Sequence, residues 1–178
     1  LNQNLKKNKK INIDPDLAYL NFWLRPSNVK KIILEYENLI KTRARIGILF
    51  HLCPSNTPLN FFYSFFFGLI TGNLNIVRLP SKNYISVEIL LKEISKIFRD
   101  KKFFKIKNNS YFISYDKNTI YTEKLSKIAD LRIIWGGDST VNSIRNYKLK
   151  PRSREITFAD RISCAIINSS KYSILPEK

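Results

Sequence analysis

Between Arg45 and Asn168 short apolar runs take turns with longer stretches of helical pattern, and this alternation constrains the fold more than any other feature of the chain. The runs are "RIGILF" (Arg45 to Phe50), "NIVRL" (Asn75 to Leu79), "YFISY" (Tyr111 to Tyr115), "LRIIW" (Leu131 to Trp135), "REITFA" (Arg154 to Ala159) and "CAIIN" (Cys164 to Asn168). Nearly unbroken apolar character over so few residues suits strands buried on both faces of a parallel sheet. The stretches between them carry helical spacing: an apolar helix from Pro58 to Ile70, closed by Gly72 and Asn73, then "SVEILLKEISKIF" from Ser86, "YTEKLSKIA" from Tyr121, and "DSTVNSIRNY", with Asp138 or Ser139 as its cap. Strand and helix alternating in this way predict an α/β fold, a Rossmann-like parallel sheet flanked by helices, with ligands at the carboxyl ends of the strands. Residues 1–44 form a helical preface, in which Ser27 is expected to cap a helix whose apolar positions are Val29, Ile32, Ile33, Tyr36, Leu39 and Ile40.

The segment from Leu59 to Thr71 is apolar enough to raise the question of a membrane. Its run is about a dozen residues, whereas a spanning helix needs roughly 20, and Asn60, Tyr63 and Ser64 interrupt it. It reads as a core helix lying on the sheet, and no membrane span is expected. The balance of 31 Lys and Arg against 14 Asp and Glu gives a net charge of +17, a field that attracts phosphorylated small molecules, anionic lipid or nucleic acid. The basic residues are scattered beside asparagine and do not cluster with exposed aromatics, which weighs against the alternative function, a basic nucleic-acid-binding domain without enzymatic activity. Two cysteines and a single histidine supply neither a disulfide framework nor a zinc cluster, so no metal is expected and a cytoplasmic location is the reading. The chain contains no methionine, even at residue 1, and is read as a fragment or processed piece.

Four pieces of sequence carry a resemblance. "FHLCPSNTP", "GNLNIVRLPSK", "IIWGGDSTVNSIR" and "REITFADRISCAII" follow one another with the order and spacing of the aldehyde dehydrogenase superfamily, and the wording is most similar to the LuxC-type acyl-CoA reductases, over roughly Arg45 to Asn168. The resemblance implies an aldehyde dehydrogenase-like NADP-binding domain at 45–178, from which the domain bearing the catalytic cysteine is absent. It further implies reduction of a long-chain fatty acyl thioester to an aldehyde with NADPH, as in bacterial luminescence. A thiolate suits that work because it is a strong nucleophile whose thioester remains electrophilic. The implied partners are an acyl-CoA, acyl-carrier or acyl-enzyme donor and acyl-transferring or synthetase subunits. A homo-oligomer is implied for the full-length protein, with no nucleic acid, and the fragment alone is expected to be inactive.

By the same resemblance Asn56 matches the side-chain amide donor to the carbonyl oxyanion; from its own chemistry it is equally an Asx-turn residue capping the helix at Pro58. Pro54 and Ser55 match positions lining the cofactor groove. Arg78, Pro80, Ser81 and Lys82 match the segment that meets the adenine ribose, where a lysine in place of a carboxylate favours a 2′-phosphate and hence NADPH; a solvated Lys82 and a salt-bridging Arg78 are the plain alternatives. Gly136, Gly137 and Asp138 match the turn near the pyrophosphate, with Asp138 expected to cap the next helix, and Trp135 packs on the cofactor or in the core. Cys53 and Cys164 are both read as small buried residues, leaving the nucleophile outside this chain. The general-base glutamate of the superfamily falls on "ITFADR", which lacks one, and Glu155 is out of register. His51 is read as a packing or hydrogen-bonding residue.

Overall fold

The computed structural model describes residues 1–8, 14–54, 56–116 and 120–167. Three helices come first: α1 (Asn2–Lys6), α2 (Pro15–Trp23) and α3 (Pro26–Thr42). Asp14 caps α2 by accepting the Leu17 N–H at 3.1 Å, and prolines occupy the first turns of α2 and α3, where a missing N–H costs nothing. Pro26 thereby moves the cap of α3 to Arg25, and Ser27 lies inside the first turn rather than at the cap.

The strands are β1 (Ile48–Leu52), β2 (Leu74–Arg78), β3 (Ser110–Ile113), β4 (Leu131–Trp135) and β5 (Arg154–Phe158). Helices α4 (Phe61–Ile70), α5 (Ile85–Ile97), α6 (Phe104–Asn108), α7 (Ile120–Ile128) and α8 (Asp138–Arg145) connect them, with a 3-10 turn at Lys101–Phe103. All pairings are parallel and the order is β3-β2-β1-β4-β5, a Rossmann-like arrangement. The chain leaves β1 toward β2 and β3, then returns to place β4 on β1's other side. The crevice between the carboxyl ends of β1 and β4 is therefore the switch point at which such sheets take ligands.

The phenylalanine-rich stretch is helix α4, starting three residues after the expected Pro58. Its Phe61, Phe62, Phe65 and Phe66 are buried against Leu5, Leu17, Leu20 and Leu24 from the first two helices and against Val87, Leu90 and Ile94 of α5. Each such side chain, fully buried, contributes about 1.5–3 kcal/mol. Trp23 meets the rings of Tyr63 and Phe66 edge-on at 4.8 and 5.1 Å. The helix ends in a Schellman turn: Asn73 N–H reaches the Gly68 carbonyl at 3.0 Å and Gly72 takes φ +74°, which a side chain would resist. Phe50, Leu52, Ile134, Ala129 and Val141 form a second core on the opposite face, beneath α7 and α8. Among the described residues no helix is long and apolar enough to cross a membrane.

An expected strand and an expected buried cysteine are absent among the described residues. The segment "CAIIN" forms no strand over its described residues; Ile162 and Ile166 are 100% and 99% exposed, and Cys164 is exposed rather than buried. Apolar, β-branched composition makes a strand only where a neighbouring backbone offers hydrogen bonds, and no strand pairs beyond β5 among the described residues. Helix α3 keeps its apolar stripe but buries none of it fully: Ile33, Tyr36 and Leu39 are 40%, 39% and 47% exposed.

Candidate functional site

Strand ends, turns and a helix start converge at the β1/β4 switch point around an open cleft of about 420 Å³. Pro54, Asn56, Thr57 and Asn60 supply one wall from the turn after β1; Trp135, Gly136 and Gly137 supply another from the end of β4. Phe158, Ala159, Asp160 and Arg161 close it from the end of β5. Parallel strands put all three carboxyl ends on one edge, so residues about 80 and 100 positions apart in the chain meet there without any sequence-local cause.

Of the residues singled out in the sequence, the cleft brings together Pro54, Asn56, Trp135, Gly136 and Gly137. Asn56 is exposed, and its side-chain NH2 makes no hydrogen bond among the described residues; its oxygen lies 3.4 Å from Thr57 Oγ1. It does not cap α4, whose N-cap position is Asn60 with no side-chain cap bond. The amide is thus free to donate to a bound carbonyl oxygen. Ser55 lies outside the described residues.

Arg78, Pro80, Ser81 and Lys82 do not line the cleft; they sit at the carboxyl end of β2, the strand beside β1. Arg78 Nη2 donates to Ser81 Oγ at 2.9 Å and to the Tyr115 carbonyl at 3.2 Å, its guanidinium lies 5.0 Å from the Tyr115 ring centre, and its buried Nε has no partner among the described residues. Lys82 is exposed.

At α8 the cap differs from expectation. Gly137 is the N-cap residue and Asp138 the first helical one, so Asp138 cannot cap the helix it begins. The Asp138 N–H is instead taken by Asp160 Oδ2 at 3.1 Å. A Cβ on Gly137 would press on that same carboxylate, so the glycine is what lets Asp160 approach. A negative group at a helix N-terminus is favourable, and Asp160 occupies the place a ligand anion would take.

Trp135 stacks on Phe158, centroids 3.8 Å apart and planes 10° from parallel, so the two rings give the cleft a flat aromatic wall. Its indole Nε1 donates to Ser64 Oγ on α4 at 3.2 Å. Behind Ser64 lies His51, fully buried in β1, with Nδ1 3.0 Å from Ser64 Oγ and Nε2 3.0 Å from Asn75 Oδ1. Burial lowers its pKa to about 4 against the opposing pull of the Asn75 hydrogen bond, so the ring is neutral at physiological pH. It does not line the cleft.

Cys53 is buried at the end of β1. Burial pushes its thiol well above the ordinary range, with the Arg78 charge acting the other way, which makes it a poor nucleophile. Glu155 is no base for the cleft either. It projects from the opposite face of the sheet and binds Arg132 and Arg145, each at 2.8 Å through Nε. Burial raises its pKa, but the hydrogen bonds and charges of the two arginines outweigh that and hold it below the usual carboxylate value. Among the described residues no group of His, Cys, Asp or Glu is placed to hold a metal ion.

Sequence reasoning did not single out Thr57, Phe158, Asp160 or Arg161 for this site, nor Ser64 as a partner of its tryptophan. The sequence signal for the β5 contribution was its position after a strand, since every strand of a parallel sheet delivers its next loop to the same edge. Compared with known families, the chain matches the family described as acyl-CoA reductase (LuxC) over residues 30–174. No curated protein matches it.

Proposed function

The chain belongs to the LuxC acyl-CoA reductase family, and on that premise we propose that it forms the NADPH-binding part of an enzyme that reduces a long-chain fatty acyl thioester to an aldehyde. The observation that carries the reading is the switch-point cleft, where the unpaired Asn56 amide, the Gly136-Gly137 turn and the Trp135–Phe158 wall meet. The fit to a dinucleotide is chemical: a flat aromatic surface for a planar ring, a glycine turn and helix N-terminus for an anion, and basic residues at the end of the neighbouring β2.

When bound, NADPH supplies the hydride that converts the acyl carbon to an aldehyde, leaving NADP and a free thiolate on the enzyme. The chain's residues bind and orient. Asn56 donates its amide to the carbonyl oxygen as negative charge gathers there, a role worth a few kcal/mol in preorganised sites. Arg78, Ser81 and Lys82, next to Pro80, hold the ribose 2′-phosphate, with Lys82 as the exposed cation that a carboxylate would replace in an NADH-preferring site. Pro54 lines the groove, with Ser55 beside it in sequence as the resemblance implies, and Gly136, Gly137 and Asp138 form the pyrophosphate turn once the Asp160 carboxylate gives way. In this reading the acyl-bearing cysteine is not supplied by this chain: Cys53, buried with a raised pKa, is a poor nucleophile, and Cys164 is not among the residues lining the cleft. In this reading residues 1–44 are a helical preface and 45–178 the cofactor-binding domain. The donor is an acyl-CoA, acyl-carrier or acyl-enzyme thioester, the full-length protein works in the cytoplasm as a homo-oligomer, and this chain alone does not turn over substrate.

Titration of the folded chain with NADPH and NADH, followed by tryptophan quenching or calorimetry, tests the reading. Saturable binding with NADPH preferred, and that preference lost in Lys82→Glu, is the expected result. A folded chain that binds neither dinucleotide, or that prefers NADH, overturns it.

A further inference from the structure

Trp135 belongs both to the cleft wall and to a run of polar side chains inside the α4 face of the sheet. The direction of every hydrogen bond in that run follows from the chemistry of its members. The Asn73 carbonyl only accepts, so Asn75 must turn its NH2 toward it, at 3.0 Å, and its oxygen toward His51. A carbonyl oxygen facing His51 Nε2 requires the proton on Nε2. Since the buried ring is neutral, Nδ1 is then bare and takes the Ser64 hydroxyl hydrogen at 3.0 Å. With that hydrogen spent, the Phe61 carbonyl, also 3.0 Å from Ser64 Oγ, has no claim on it. The Ser64 oxygen keeps a lone pair for the indole N–H, which can only donate. The donors run one way, from Trp135 through Ser64 to His51, and from His51 through Asn75 to the backbone of Asn73. The competing arrangement, with the Ser64 hydroxyl turned to the Phe61 carbonyl, leaves His51 Nδ1 without a donor.

Helix α4 is built to admit this run. Gly68 faces Asn75, and a Cβ there would collide with the Asn75 side-chain oxygen and carbon, so only glycine lets the amide pass beneath the helix. Asn75 and His51 are both completely buried, in a part of the sheet where apolar side chains would pack without any polar bookkeeping. Buried polar groups so placed restrict geometry, and the outlet of this set is the edge of Trp135.

We propose that Ser64 and His51 are positioning residues for the cleft: they hold the Trp135 indole, and the Phe158 ring stacked on it, as a fixed platform for the nicotinamide ring of the bound dinucleotide. The identity of that ring rests on the function proposed above, and its placement follows from the presence of Asn56, the donor nearest the reacting carbonyl in that reading, in the same cleft. Neither positioning residue touches the ligand; each acts through Trp135.

The test compares Ser64→Ala, Ser64→Thr and His51→Gln with the parent chain. The indole N–H resonance of Trp135, identified by its loss in Trp135→Phe, should move upfield and exchange with solvent about tenfold faster in Ser64→Ala, consistent with loss of one hydrogen bond. NADPH should bind about fivefold more weakly to that variant, while 2′-phospho-ADP-ribose, which lacks nicotinamide, should bind as to the parent. Ser64→Thr restores the hydroxyl and should restore both readouts. An indole that exchanges at the parental rate in Ser64→Ala overturns the proposal, and so does equal weakening of the two probes. If His51→Gln does not fold, the serine variants carry the test alone. A parent chain that binds neither probe overturns the dinucleotide reading and is told apart from failure of the positioning chain, which shows in indole exchange without any ligand.

Discussion

Two buried polar networks lie back to back through the sheet, and they differ in charge, in stakes and in reach. On the α4 face, His51, Ser64, Asn75 and Trp135 form a neutral chain that ends at the cleft. On the opposite face, Arg132, 2% exposed, is held by Glu155, Ser126 Oγ at 3.1 Å and the Tyr147 carbonyl at 2.8 Å, with Arg145 as the second partner of Glu155. Strand alternation makes the separation: His51 faces one way while its neighbour Phe50 is in register with Arg132, and Arg132 with Glu155, on the other. The ionic network ties β4, β5, α7 and α8 together and includes no residue of the cleft lining. The neutral one carries no net charge and ends at Trp135 in the cleft wall. A neutral chain orients an aromatic wall and leaves the charge at the cleft to Asp160 and Arg161, which line it.

The largest effect expected is from breaking the ionic network. Glu155→Ala leaves the Arg132 guanidinium buried without its counter-charge and should lower the unfolding free energy by about 3–5 kcal/mol, measured by urea titration. A loss below about 1 kcal/mol would mean that water reaches Arg132 and that the two faces are alike.

Acid separates the networks next. His51 has its folded pKa lowered to about 4, below the unfolded value near 6.5, so the unfolded chain binds the extra proton between those values. Its contribution is present above the unfolded pKa and is lost as pH falls from about 6.5 to about 4, to the extent of about 3 kcal/mol. Glu155 is held below its unfolded pKa of about 4.5, so its stabilisation is present above that value and disappears as pH falls through the lower folded pKa. Stability measured against pH should therefore fall in two successive windows, and His51→Gln should flatten the upper one alone.

Smaller shifts are expected where charge lies on the surface. Asp160→Asn removes the carboxylate from the start of α8 and should raise NADPH affinity about threefold with little change in unfolding midpoint. A drop in affinity would make Asp160 a ligand contact rather than a competitor. At the bottom of the scale, Lys127→Ala breaks the exposed 2.6 Å pair with Glu123 on α7 and should leave the melting temperature unchanged. That contrast with Glu155→Ala shows burial, not distance, setting the cost.

Much of the architecture is legible in residue order. LRIIW forms the fourth strand over its full length because a strand flanked on both sides in a parallel sheet is apolar throughout. The first strand is displaced, Ile48–Leu52 against an expected Arg45 to Phe50, because its limits are set by where β2 and β4 offer backbone partners. "CAIIN" shows the same dependence in the negative. Within the site, Pro54, Asn56, Trp135, Gly136 and Gly137 were accessible through resemblance and local turn chemistry. Phe158 and Asp160 were not, since nothing local says which residues at and after the end of β5 turn inward, and Ser64 gives no sign within a phenylalanine-rich helix of the strand histidine it meets.

By itself the sequence determined the alternation of elements, the parallel sheet, the covering role of the aromatic helix and the family, because periodicity and motif order are local properties of a chain. Only the tertiary structure decided the strand order, the cleft that this order opens between β1 and β4, and the direction of the hydrogen bonds behind Trp135. Those depend on which residues face each other across the sheet, and a facing pair such as His51 and Ser64, or Trp135 and Phe158, exists only once the backbone has placed both.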